Sequence, residues 1–191
     1  MRGCEALDGA SHRKGAGLMR LYQVLVVLAA AGVLLGAFGL QPVESKSDEF
    51  VCTTDDAAQG ARQLKAFLDE HDVKVLKLGS EAVYVDRVFK MALEPKLSDD
   101  GLDRIVVHVF FTPKAEYKTG GAIVQLANDL DRQYNVGGFF VDGDGDLVLQ
   151  SQMTFVDRIS WEEIDGFLEW LSLSLLIMAM SDQTGFSKYI K

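Results

Sequence analysis

Asp142, Asp144 and Asp146 alternate with Gly143 and Gly145, and carboxylates at that spacing have the chemistry of a Ca²⁺ loop, which needs several oxygen ligands. An EF-hand loop wants glycine at its sixth position and glutamate at its twelfth, and counting from Asp142 those places hold Leu147 and Met153. The cluster therefore reads as an Asp-Gly hairpin turn. Lys118-Thr119-Gly120-Gly121 stands where a helix begins, and free backbone N–H groups there can receive an anion. The phosphate-loop order is glycine first and Lys-Ser/Thr last, which this segment inverts, so a flexible helix entry is the expectation. His108 lies in the run IVVHVFF with Val106 and Phe110 on its own face. No G-x-S-x-G elbow accompanies it, so it reads as a histidine on a sheet surface. Cys52, beside Thr53-Thr54, is read either as a free thiol or as one half of a mixed or intermolecular disulfide.

The inventory narrows the chemistry further. Cys4 and Cys52 are too few for a disulfide scaffold or a structural zinc site, and His12, His71 and His108 are too scattered for a metal motif. No catalytic residue, cofactor or metal is expected. The chain has 191 residues, 48% apolar and 25% charged, enough for one domain and an appendage. Its formal charge of −9 argues against a nucleic-acid partner, because phosphate binding needs a basic face.

The elements that must position these groups follow from periodicity. Thr53 or Thr54 is expected to cap a first helix with Asp55 and Asp56 in its first turn, and Ala57, Ala61, Leu64 and Leu68 repeat at helical spacing. Val73 to Leu78 alternates as a strand. Val83 to Leu93 reads as one long strand with its odd positions facing the core, closed by Pro95. Leu97 to Asp103 reads as a loop and Ile105 to Phe111 as a strand near the sheet centre. A second helix after Gly120-Gly121 carries Ile123, Leu126, Ala127, Leu130 and Tyr134. A hairpin then pairs Phe139–Val141 with Leu147–Phe155, and Ser160 caps the last helix with Glu163 completing a capping box. The predicted class is α+β, an antiparallel sheet with helices packed against it in the order α-β-β-β-α-β-β-α.

Ahead of this domain, Leu21 to Leu40 runs twenty residues without a charge, long enough to cross a hydrocarbon core as a helix. Arg13, Lys14 and Arg20 precede it while Glu44, Asp48 and Glu49 follow, so the N-terminus is expected inside and the remainder exported. Ala37-Phe38-Gly39 fits a signal-peptidase site, whereas the full length suits an uncleaved anchor, and both readings stay open. Met19-Arg20 would serve as an alternative start to Met1. The expected organisation is a signal peptide or transmembrane anchor over 1–40, a linker over 41–52 and the domain over 53–191. From residue 41 onward there are 15 basic and 26 acidic residues, a net of −11.

From Asn128 through Phe167 the chain resembles the YbjN family, described as bacterial sensory transduction regulators. The resemblance rests on Asn128 and Asn135, on GGFFVDGDGDLVLQ from Gly137 to Gln150, and on the helix start Ser160-Trp161-Glu162-Glu163-Ile164. In order of elements it extends over about Thr53 to Met180. It implies a fold similar to that of type III secretion chaperones, which commonly pair, and it carries no catalytic residues to transfer.

The final helix offers the strongest functional lead. Trp161, Ile164, Leu168, Leu171 and Leu175 make one stripe, and Phe167, Trp170, Leu173, Leu176, Ile177 and Met178 widen it until 170–180 is apolar almost all round. Such a helix is either buried on all sides or covers a partner. The expectation is a non-enzymatic, exported protein-binding module of the bacterial cell envelope, chaperone-like or regulatory. It would be periplasmic or anchored in the inner membrane, and would form a homodimer or bind a protein partner through Trp170, Leu173 and Ile177. A hydrolase or transferase whose site is not written as a local motif is the alternative, and a small-ligand or calcium sensor a second.

Overall fold

The computed structural model describes residues 47–98, 101–119, 121–181 and 183–191. The apolar segment 21–40, the linker up to residue 46 and the choice between Met1 and Met19 lie outside the described residues, as do Asp99, Asp100 and Gly120. Among the described residues no helix is long and apolar enough to cross a membrane.

The first helix, α1 (Ala57–Glu70), starts two residues later than a Thr54 cap implies, so neither Asp55 nor Asp56 lies in its first turn: Asp56 is itself the N-cap, its carboxylate accepting from the Gln59 N–H at 2.7 Å. Thr54 supports the turn before it, its hydroxyl accepting from the Asp56 N–H. Four strands follow: β2 (Val75–Leu78), β3 (Val83–Asp86), β4 (Lys90–Lys96) and β5 (Asp103–Phe111). After them come α2 (Ala122–Gln133), β6 (Gly138–Val141), β7 (Leu147–Phe155), α3 (Trp161–Met180) and the short α4 (Phe186–Tyr189). A separate two-stranded pair joins β1 (Glu49–Phe50) to β8 (Ile159–Ser160).

The six main strands form an antiparallel sheet in the order β2-β3-β4-β5-β7-β6. The protein is thus α+β with an antiparallel sheet and helices, but with one more strand than predicted before α2. The single strand Val83–Leu93 is a tight hairpin turning at Arg87–Phe89, with Val83 opposite Leu93 and Val85 opposite Met91. Because odd residues pair with odd residues across it, the alternation passes through the turn without a change of phase. Pro95 does not end the strand: it pairs with Ile105, beyond the last β3 partner at Leu93, where β4 has one neighbour and tolerates a missing N–H.

Odd-numbered residues of β3 to β7, among them Val85, Leu93, Ile105, Val107, Leu147 and Leu149, form the core with α1, α2 and α3. Phe50 joins them at 2% exposure, so the end of the polar stretch after Gln41 belongs to the folded domain. Among the described residues the core cluster runs from Phe50 to Ile190. The even face carries Tyr84, Glu94, His108, Phe110, Phe140 and Gln150, and both Phe110 and Phe140 are exposed. Ala92, Val106 and Val148 on this face are nonetheless buried.

The start of α3 is fixed by the predicted capping box: the Ser160 hydroxyl accepts from the Glu163 N–H, and the Glu163 carboxylate accepts from the Ser160 N–H and hydroxyl. Those two donors hold the Glu163 carboxyl below the usual carboxylate range. Ser160→Ala is expected to cost about 1 kcal/mol at neutral pH, read by urea unfolding. Since the folded-state pKa is depressed, the contribution of Glu163 is present above the unfolded value. It is lost as the pH falls through the folded one, so the gap between wild type and variant should narrow in acid.

Candidate functional site

The residues that suggested chemistry are dispersed, and all but His108, whose Nε2 is buried without a hydrogen-bond partner among the described residues, are engaged locally. Asp142 closes its own turn, one carboxylate oxygen accepting from the Asp144 and Asp146 N–H groups at 2.9 Å each. Asp146 pairs with Lys118 at 3.1 Å, so the lysine considered for an anion is neutralised by the loop considered for a cation. Among the described residues no group of three or more His, Cys, Asp or Glu is placed to hold a metal. His108 lies opposite Ala92 and Gln150 on the even face of the sheet, its ring edge-on to Phe110 at 6.2 Å. Glu94, on the same face, pairs with Lys96 instead.

Cys52 is buried at 8% exposure, packed near Gly60, with its thiol directed to the Thr54 carbonyl. Burial pushes the thiol pKa up. A buried, protonated sulfur is a poor nucleophile.

What the fold does assemble lies along α3. Ile164, Leu168, Leu171, Leu175 and Met178 face the core, and the buried Ser172 hydroxyl is satisfied by the Leu168 carbonyl at 2.7 Å. The opposite side is left in water: Trp170 is 46% exposed, Leu173 56%, Ile177 58% and Met180 78%. Soluble surfaces seldom present so many large apolar side chains on one ridge unless another surface covers them. The three residues singled out in the sequence thus share one exposed face of a rigid helix. Asp165, at the edge of this helix, is held by Arg87 at 2.6 Å, which ties α3 to the β3–β4 turn.

Beside Trp170 lies a cavity of about 460 Å³, announced by no sequence pattern and lined by Asn135 to Gly138, Gln150 to Gln152, Phe167 and Trp170. It exists because β6 stops at Gly138 while β7 continues for five more residues. Gly137 makes the break possible: at φ +149° its α-carbon passes the Gln150 carbonyl so closely that a Cβ would stand 2.3 Å from the oxygen.

No family model matches the chain, and no curated protein does. Among solved structures it is similar in fold to the crystal structure of YbjN from E. coli, a proposed transcription regulator. The two share 13% identity at a TM-score of 0.47, over 69% of this chain and 94% of that one. Identity this low assigns no task to the chain.

A second cluster braces the N-terminal end of α3. The His71 ring stacks on Trp161 at 4.5 Å and 12°, with Phe67 at 4.6 Å on the histidine. Its Nε2–H donates to the Ser47 carbonyl at 3.0 Å, and the Trp161 N–H donates to the Asp48 carbonyl at 2.8 Å. Together with the Arg158–Glu49 pair at 3.0 Å, these contacts fasten the entering chain to the start of α3. Their role is positional, for they hold the helix that presents the apolar ridge.

Proposed function

We propose that this protein is a non-enzymatic protein-binding module, chaperone-like or regulatory, exported to the bacterial cell envelope. The observation that carries the reading is the outward ridge of α3, where Trp170, Leu173 and Ile177 stand in water on a helix anchored along its whole opposite side. A firmly held apolar ridge offers burial to a partner at little cost in ordering. The export part rests on the uncharged run Leu21 to Leu40 and its basic leading flank, either cut after Gly39 or kept as an inner-membrane anchor. The acidic balance supports partners other than nucleic acid. A second copy of the chain is the simplest cover for the ridge.

A photo-cross-linking residue at position 173 of the full chain tests the binding reading. Adducts to protein are expected there and absent at position 124, an exposed apolar site on α2. Equal yields at both positions would remove it. A C-terminal reporter active only in the cytoplasm tests export separately, and its activity would overturn that part.

A further inference from the structure

The Phe139 N–H donates to the Asp131 carboxylate at 2.7 Å, so that residue's backbone points away from β7, and its neighbours Gly138 and Phe140 point toward it. On β7 the matching residues are Gln150 and Val148. Strand geometry repeats every second residue, so Gln152 and Thr154 present their N–H and C=O to the same side, where β6 has ended. Both are exposed, and among the described residues neither forms a backbone bond on that side. An unpaired strand edge is a template for another strand, and proteins ordinarily blunt or cover it. Here it is walled instead by Phe167 and Trp170 of α3, across the cavity of about 460 Å³.

Charge selects the occupant. Residues 47–191 carry 14 Lys and Arg against 25 Asp and Glu. Helix α3 holds Glu162, Glu163, Asp165 and Glu169 and no basic residue, and Glu163 shares the stripe of Phe167 and Trp170 at helical spacing. β7 and the Asn135–Val141 bend carry no charge at all. An incoming strand therefore meets hydrogen-bonding groups on one side and the aromatic rings of acidic α3 on the other, with Arg104 opposite Thr154 as the one basic neighbour in the pairing register.

We propose that the open stretch of β7 at Gln152 and Thr154 takes an extended, basic peptide of a partner protein as an added strand, with an apolar side chain seated against Phe167 and Trp170. This mode rests on the protein-binding reading above and specifies how one such partner is held: main-chain bonds give the affinity, and the aromatic wall with the acidic helix gives the selection.

The test uses the full chain and a blocked peptide of alternating lysine and valine with one central leucine, about ten residues long. Amide exchange at Gln152 and Thr154 should slow by roughly tenfold or more when the peptide binds. Gln152→Pro, which removes an N–H from the open edge only, should abolish binding with the circular dichroism unchanged. The same peptide N-methylated at alternate residues should fail on wild-type protein, which tests the mode without altering the fold. A glutamate-for-lysine peptide should bind weakly. Lysine-peptide binding that leaves the two amides unprotected, or survives N-methylation, overturns the proposal, as does no binding. Protection that rises with protein concentration in the absence of peptide also overturns it, in favour of a second copy at the edge. If adducts at position 173 persist in any of these cases, only the strand-addition mode falls. If they are absent as well, the protein-binding reading falls with it.

Discussion

Gly137→Ala is expected to destabilise the domain by about 3 kcal/mol or more, the sum of a backbone held in a conformation that side chains rarely adopt and a collision that no rotamer relieves. The added Cβ would lie 2.3 Å from the Gln150 carbonyl oxygen and 2.9 Å from the Leu149 side chain, and the first of these is backbone within the sheet. Either β6 moves off β7, losing pairs from Gly138↔Gln150 onward, or the φ of +149° is abandoned and the bend from α2 is redirected. Gly138→Ala is the internal control, since a Cβ there meets nothing within 4 Å. It should change stability by no more than about 0.5 kcal/mol. Urea unfolding of both variants decides the matter, and a Gly137→Ala loss no larger than that of Gly138→Ala would show that the close passage is not maintained in solution.

Why some elements were legible and others were not follows from how far their cause extends along the chain. The capping box at Ser160 and Glu163 is settled by residues three apart, and it stands where the sequence put it. The Phe139–Val141 and Leu147–Phe155 hairpin is declared by the Asp-Gly turn between its strands. The β3–β4 hairpin was invisible for the opposite reason: its turn, Arg87-Val88-Phe89, contains no Gly, Pro, Asn or Asp, and its odd-to-odd register keeps the hydrophobic alternation in step. Phe50 was read as the end of a polar linker because its partner, Ile159, is more than a hundred residues away. The exposed ridge of α3 was half legible. The sequence shows too much apolar circumference, but only the fold says which side the core takes. The cavity beside it depends on β6 being shorter than β7, a difference between two strands that neither sequence expresses alone.

In light scattering at micromolar concentration, the chain from Gln41 is expected to show the mass of a symmetric pair, and Leu173→Asp to show that of one chain. Trp170, Leu173, Ile177 and Met180 follow one another at steps of three and four, so they form a continuous ridge on the side of α3 opposite Leu168 and Leu171. Complete burial of such a side chain contributes about 1.5 to 3 kcal/mol, and each of these already has part of its surface covered, so a gain of several kcal/mol remains for a second surface to supply. Two-fold symmetry uses the ridge twice, because the patch that offers the apolar surface is the patch that receives it. An aspartate at 173 would sit on each side of that axis, and neither charge could be desolvated without a partner. Leu173 is already 56% exposed, so the substitution removes little from the core and the monomer should unfold at nearly the wild-type urea midpoint. Val124→Asp places the same charge on a comparably exposed apolar residue of α2, at 52%, and should leave the pair intact. A wild-type mass equal to one chain, unchanged by Leu173→Asp, would mean that the ridge is covered by a different protein or by none.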